Sequence, residues 1–407
     1  MLHRPDKWGI KMVHFRERFA AGLIQKLAKL WPVVGMVGIR QGGKTTLMTS
    51  LFSKAPLVSL DDFALREEAN RSPEQFLEKL TPPVLLDEIQ KAPPLFDAIK
   101  LKVDQKRIPG SWFLTGSTAF SSKLGIRESL TGRIGLVELS PMTLAELHHQ
   151  SFRPIDQWAS VQKAASTIRF DCAALTRASV TGGMPFPAFL RDAEQRRLYW
   201  QSWLETTILR DLARFFPKSF DPDFAFLILD RMAVALRNGE LPGLTHFAGP
   251  AHKVRQYLTA MENIFLLRKI ACHPEGIGRE IWLFTDSGLA GYLMGQIMGE
   301  GCTLSLTRHF IWNEICCQAH YQAVHLTKCY YKSAQGSPVD FILDGIPFRI
   351  VPTVTGITQQ LGFEERPLLG AMKKLKSSVG YLLGPVDKPQ LPPKKGGVGI
   401  LPWTIWC

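Results

Sequence analysis

The sequence predicts an α/β protein: a parallel sheet with helices on both faces, followed by a mainly helical stretch and two smaller C-terminal parts. Three observations carry that expectation. Short apolar runs alternate with helix-like stretches through the first 140 residues, a glycine-rich turn separates the first such strand from the helix after it, and two acids end the third strand. At 407 residues, with 45% hydrophobic and 21% charged side chains, the chain is long enough for two or three packed domains and far from the composition of disordered chains.

Residues 1–31 carry seven basic and two acidic side chains and read as a basic helical segment. Val33 to Val37 is a short apolar strand, then come a glycine-rich turn and a helix from Thr45 to Phe52. Leu57 to Leu60 is the second strand, ending in Asp61-Asp62, and Ser72-Pro73-Glu74-Gln75 opens a helix with a cap residue, a first-turn proline and a glutamine at the third position. Val84-Leu85-Leu86 runs into Asp87-Glu88 as the third strand. A helix near Leu95 to Val103, a fourth strand at Trp112 to Leu114 and a fifth near Ile134 to Leu139 complete a core expected over 32–140.

From 141 to 219 the pattern turns helical, with Arg191 to Phe216 carrying apolar residues at helical spacing, which suggests a helical lid. Over 220–300 the order helix (Phe224 to Arg237), short helix (Leu244 to Ala248), helix (His252 to Leu266) and a strand pair around Ile281 to Phe284 is that of a winged helix. The last part, 301–407, shows a helix at Phe310 to Tyr321 and strands at Val324 to Leu326, Cys329 to Tyr331, Val339 to Leu343, Pro347 to Val351 and Ile400-Leu401, giving a small α+β domain.

No apolar run approaches the roughly 18 residues that span a bilayer, and the first thirty residues lack an apolar signal core, so a cytoplasmic location is expected. The cysteines (Cys172, Cys272, Cys302, Cys316, Cys317, Cys329, Cys407) are odd in number and include no C-x-x-C pair, so neither a disulfide framework nor a zinc ribbon fits. The net charge of +13 is concentrated in the tails and the middle, a balance that suits nucleic acid or an acidic surface and equally a solubilising surface charge.

The chemistry sits in two short motifs. Gly38-Ile39-Arg40-Gln41-Gly42-Gly43-Lys44-Thr45 follows a strand and opens a helix, matching G-x-x-x-x-G-K-[ST]. In such a P-loop the glycines let backbone N–H groups reach phosphate, the lysine reaches the β and γ groups, and the hydroxyl of Thr45 serves Mg²⁺. Gly38, Arg40, Gln41, Gly42, Gly43, Lys44, Thr45 and Thr46 are therefore the expected ATP-binding residues. Asp87, at the tip of the third strand, suits the Mg²⁺ shell with Thr45, and Glu88 is placed to orient and deprotonate an attacking water. Thr115-Gly116-Ser117 ends the next strand and offers hydroxyls for sensing a γ-phosphate, although a plain turn explains it as well. Arg127 and Arg133 are candidates for an arginine finger acting on a neighbouring copy of a homo-oligomer, with a surface salt bridge as the alternative.

Taken together, Gly38 to Leu47, Leu85 to Pro93, Phe113 to Ser117 and Ser129 to Arg133 resemble the large bacterial and archaeal family of AAA-type ATPases whose C-terminal half is a domain of unknown function with winged-helix and endonuclease-like parts. The resemblance extends to Gly182-Gly183-Met184-Pro185, Thr207 to Leu212, Phe284 to Leu289 and Val339 to Leu343. It implies ATP-site roles for Lys44, Thr45, Asp87 and Glu88. Two departures stand out. Gly42 replaces the family's usual valine, which loosens the loop. In the endonuclease-like part Asp340 remains, but the Glu-x-Lys pair expected on the next strand is Arg349-Ile350-Val351, so nuclease activity is not expected and Asp340 reads as a structural relic.

These readings converge on Mg²⁺-dependent ATP binding and hydrolysis that drives a switch acting on a protein partner. The alternative is a nucleic-acid-processing protein gripping phosphates through its basic tails (Arg16, Arg18, Lys26, Lys29; Lys373, Lys374, Lys376, Lys394, Lys395), with Lys253 and Arg255 on a recognition helix.

Overall fold

The computed structural model describes residues 16–120, 130–151, 168–295, 304–334, 338–352, 360–393 and 395–407. They fall into two compact units: Met1–Phe152 with Met184–Arg191 and Asn263–Phe265, and Arg153–Gly183 with Asp192–Glu262 and Leu266–Cys407.

In the first unit β1 (Val33–Gly38), β2 (Leu57–Ser59), β3 (Val84–Asp87), β4 (Trp112–Gly116) and β5 (Ile134–Leu139) form one sheet in the order β2-β3-β4-β1-β5, every pair parallel. All residues of β1 and β3 are buried, which is why they read as unbroken apolar runs without alternation. The sheet is accompanied by helices α1 (Ala20–Leu30), α2 (Lys44–Leu51), α3 (Phe63–Arg71), α4 (Pro73–Glu78) and α5 (Pro94–Gln105). α1 lies so close on β5 that a Cβ on Gly135 would come within 2.8 Å of Trp31. Because every strand runs the same way, Gly38, Asp87, Gly116 and Leu139 end at one edge. β4 separates β1 from β3, so Thr115 stands between the loop after β1 and the acids after β3.

Helix α3 was not expected from the sequence. Its cap is Asp62, whose carboxylate accepts from the Leu65 N–H at 3.0 Å, so an acid read as a strand end starts a helix instead. Ser72 makes no side-chain cap bond to α4, although Pro73 occupies the first turn as expected.

The second unit begins with the helices Cys172–Thr181 and Ala193–Thr206, the latter continuing through a π-helical turn at Thr207–Leu212. Helix Pro222–Arg237, the short helix Leu244–His246, helix Ala251–Asn263 and the antiparallel pair β6 (Leu267–Ile270) and β7 (Ile281–Phe284) follow in the order the sequence suggests. The segment joining β6 to β7 hydrogen-bonds the edge of a second sheet. His273 N donates to Tyr330 O at 2.7 Å, Tyr330 N to Ala271 O at 3.0 Å and Ile277 N to Lys332 O at 3.0 Å.

That sheet has the order β12-β11-β10-β9-β8, built from β8 (Lys328–Lys332), β9 (Pro338–Leu343), β10 (Ile346–Ile350), β11 (Val379–Gly384) and β12 (Gly397–Pro402). β8, β9 and β10 are antiparallel neighbours, whereas β11 and β12 run parallel to β10. Helix Gln360–Leu375 supplies the crossover from β10 to β11 and packs Leu368, Ala371 and Met372 against Val339, Ile342 and Leu382. Helix Leu304–Tyr321 places Trp312 edge-on to Phe341 at 4.8 Å. The sequence reading missed β11 and the crossover helix, and Val324 to Leu326, expected as a strand, joins none. Among the described residues no helix is long and apolar enough to cross a membrane, and the described cysteines are free thiols; Cys302 lies outside the described residues.

Candidate nucleotide site

β1 ends at Gly38, whose φ is +148° and whose Cβ, if it had one, would lie 2.4 Å from the Leu139 carbonyl oxygen. Only glycine lets the chain leave the sheet that close to β5. The loop then turns tightly, with Gly42 N donating to Ile39 O at 3.1 Å and with Gln41 (φ 60°) and Gly43 (φ 92°) in the left-handed region. Lys44 opens α2 with its amine buried, donating to Gly38 O and Ile39 O, both at 2.9 Å. Arg40, Gln41, Gly42, Gly43, Lys44 and Thr45 thus wrap the N-terminus of α2, where orphan N–H groups collect, and Thr46 faces outward.

Thr45 donates its hydroxyl to Asp87 Oδ1 at 2.7 Å, and the Thr115 hydroxyl donates to the same oxygen. Thr115 in turn accepts from the Glu88 N–H at 3.4 Å. Glu88 sits in the left-handed region (φ 57°, ψ 41°), a conformation that costs a non-glycine residue on the order of 1 kcal/mol and marks a constrained position. Its carboxylate is held as well: Ser117 Oγ donates to Oε2 at 3.0 Å, and Gln90 Nε2 donates to the same oxygen while reaching Ser117 Oγ at 3.1 Å. The glycine between Thr115 and Ser117 is required, because a Cβ on Gly116 would lie 2.6 Å from Phe120 and 2.7 Å from Gln90 Oε1.

Lys44, Thr45, Asp87, Glu88 and Thr115 therefore converge, with Thr115 and Ser117 acting as holders of the two acids. Gln90 was not anticipated. Its only signal is its place two residues after Glu88, which a short helical turn (Ile89–Lys91) folds back towards the acid. Arg133 lies at the other edge of the sheet. Its carbonyl accepts from Val33 N at the start of β1, and its guanidinium pairs with Asp104 at 2.6 and 2.8 Å, so within its own chain it does not reach the loop. Arg127 lies outside the described residues. Arg18, counted above among the basic tail residues, is buried against the P-loop and is not part of a solvated tail.

The expected relic Asp340 is buried, with Oδ1 at 2.5 Å from Arg308 Nε and Oδ2 accepting from Ile350 N at 2.7 Å. No group of three or more His, Cys, Asp or Glu placed to hold a metal ion occurs among the described residues. On helix Ala251–Asn263, Lys253 donates to Asp221 at 2.8 Å and stacks over Phe224, while Arg255 is exposed.

Comparison with known proteins agrees with the first unit. Residues 31–148 match the family model described as AAA domain. An uncharacterised protein of Mycobacterium bovis and one of Mycobacterium tuberculosis are each 29% identical over 208 residues, covering 50% of this chain and 42% of theirs. The chain thus spans less than half the length of the curated relatives it matches. Among solved structures, a Walker-type ATPase of Pyrococcus abyssi aligns with a TM-score of 0.41 at 14% identity, over 67% of this chain and 94% of that one. The Aeropyrum pernix ORC1 protein, solved in complex with DNA, aligns at 0.28 and 14% identity over 71% and 94%. Both scores are too low to carry an argument about activity. The parallel sheet and the P-loop between β1 and α2 fall within residues 31–148, the stretch that matches the AAA domain.

Proposed function

We propose that the first unit binds ATP with Mg²⁺ and hydrolyses it to ADP and phosphate, and that the cycle switches a protein partner of this cytoplasmic protein. The observation that carries the reading is the meeting of Thr45 Oγ1 and Asp87 Oδ1 at 2.7 Å, beside a phosphate-type loop whose lysine is held at its mouth. These residues fit the group they would take. A hydroxyl and a carboxylate are the hard oxygen donors that Mg²⁺ accepts, and the Gly38 and Ile39 carbonyls that Lys44 reaches are neutral acceptors that phosphate oxygens would outcompete. Bound there, Mg²⁺ would supply charge neutralisation at the β- and γ-phosphate oxygens.

The chain's own residues do the rest. Backbone N–H groups of Gly43, Lys44 and Thr45 bind the phosphates and Lys44 adds charge, so that the γ-phosphorus is held in place. Glu88 accepts a proton from water as the oxygen bonds to that phosphorus and the bond to the β–γ bridging oxygen breaks. Ser117 and Gln90 keep its carboxylate in one orientation. A positioned base of this kind contributes about 10² to 10⁴ in rate.

The rival reading, a nucleic-acid-processing protein, is weakened by two contacts. Lys253 is paired with Asp221, and the segment between β6 and β7, the wing of a winged helix, is hydrogen-bonded to β8. A protein-facing role suits those surfaces better than a DNA groove.

Phosphate release from ATP with Mg²⁺, with and without DNA, for the wild type, Lys44→Ala and Glu88→Gln tests the proposal. Activity that disappears in both variants and ignores DNA is the expected result. Stimulation by DNA would move the nucleic-acid reading into first place, and binding without release would sink the hydrolytic role of Glu88.

A further inference from the structure

Arg18 belongs to none of the motifs above, yet it is 6% exposed and touches the phosphate loop itself. Nη1 donates to the Gly42 carbonyl at 3.1 Å, Nη2 to the Ser140 carbonyl at 2.5 Å, and Nε lies 3.2 Å from Glu146 Oε1. Glu146 is rigidly placed. Its Oε1 accepts from Phe19 N at 2.6 Å, its Oε2 from Thr143 N at 2.9 Å, and its own N–H donates to Thr143 Oγ1 at 3.2 Å in a capping box. The guanidinium is therefore a fixed three-pronged tie between the loop and the segment after β5.

What it ties is a single peptide unit. In a planar trans peptide the carbonyl of one residue and the N–H of the next point to opposite sides. A Gly42 carbonyl held from outside the loop leaves the Gly43 N–H directed to the inside, where loop amides take phosphate. That unit lies between two glycines, so no Cβ resists its rotation. A side chain at position 42 would resist it. A Cβ there would meet Ile39 O at 3.0 Å and Ile39 Cγ2 at 3.1 Å, a tight fit that needs a shift of a few tenths of an ångström, and φ at Gly42 is outside the left-handed region.

We infer that Arg18 is a positioning residue for phosphate binding, fixing the Gly42–Gly43 peptide so that the Gly43 N–H faces the phosphate in place of the stiffness a side chain at 42 would provide. The inference rests on the ATP reading of the same loop.

The test is calorimetric binding of ATP and ADP, with thermal melting, on the full chain. Arg18→Lys keeps a positive charge beside Glu146 but cannot span three acceptors. It is expected to weaken both nucleotides about tenfold while melting within a few degrees of the wild type. Gly42→Ala, measured alone as its own reference, is expected in the Arg18→Lys background to recover at least half of the loss on a logarithmic scale. Arg18→Gln/Glu146→Gln removes both buried charges together and guards against a folding failure; it should show the same loss and the same recovery. Binding by Arg18→Lys within twofold of wild type overturns the inference alone. So does a loss that Gly42→Ala leaves untouched, since a purely structural defect has no reason to be relieved at that peptide. A wild type that binds no ATP overturns the reading of the site together with the inference.

Discussion

Replacing Asp340 with alanine should destabilise the second unit severely without touching any reaction. The carboxylate is 3% exposed and answers two groups, Arg308 Nε at 2.5 Å and Ile350 N at 2.7 Å, with the Arg308 side chain 6% exposed. Its removal leaves a guanidinium in the interior without a counter-charge, which costs about 3–5 kcal/mol, and an N–H without an acceptor, which costs about 1–3 kcal/mol. The two penalties overlap because the same rearrangement relieves both, so about 4 kcal/mol is expected. At roughly 2–4 °C per kcal/mol for a unit of this size, the melting transition should fall by about 10–15 °C. Arg308→Met/Asp340→Leu discards both charges and should return most of that stability. Denaturant unfolding followed by tryptophan emission reads it directly, because Trp312 and Trp406 pack on Phe341 beside Asp340. Cleavage of DNA with Mg²⁺ or Mn²⁺ is measured in parallel. An Asp340→Ala protein that melts like the wild type, or a metal-dependent cleavage by the wild type that Asp340→Asn abolishes, would refute the structural role.

Two further expectations follow from equally local geometry. Gly116→Ala forces a Cβ to within 2.6 Å of Phe120 and 2.7 Å of Gln90 Oε1, so it should cost about 1–3 kcal/mol of stability and, by displacing Gln90 from Glu88, slow phosphate release more than it weakens ATP binding. Steady-state turnover and calorimetric binding on the same preparation separate the two effects. His309 is fully buried, and desolvation lowers its pKa from 6.5 to about 4. The unfolded chain therefore binds the extra proton between those values, and stability is full above about pH 6.5, falls on acidification and levels off below about pH 4. The total is on the order of 3 kcal/mol. His309→Phe should flatten that part of the stability profile; an unchanged slope would show that other groups cause it.

The phosphate loop and both strand-end acids were legible in the sequence because each is a contiguous motif in a strand–loop–helix setting. Even the meeting of Thr45 with Asp87, 42 positions apart, follows from a parallel sheet whose strands all end at one edge. Asp62 misled because an acid at the end of a strand and an acid at the start of a helix look alike until the next turn is built. Gln90 and Arg18 were harder to read: Gln90 acts only once a helical turn folds it back onto Glu88 and Ser117, and Arg18 only once the distant Gly42 and Ser140 carbonyls are brought to its guanidinium. Thr143-x-x-Glu146 did carry a readable cap pattern, but not the fact that its glutamate would hold an arginine.

The acids at the tip of β3 and the acid inside β9 illustrate how partner chemistry decides what a carboxylate can still do. In the first unit Asp87 and Glu88 are answered by Thr45, Thr115, Ser117 and Gln90, all neutral donors whose bonds to a carboxylate are worth about 1.5–3 kcal/mol each and carry no counter-charge. Such bonds are lost cheaply when a cation or a water arrives, and hydroxyls can re-aim their oxygens toward a metal, so the acids stay available while remaining aligned. Asp340 is answered instead by a buried guanidinium and a backbone N–H, neither of which can turn around and accept. A metal ion would have to displace a charge that has nowhere solvated to go. A strand carboxylate is thereby kept open in one unit and closed in the other, which is the physical reason to look for chemistry at Asp87 and Glu88 and for stability at Asp340.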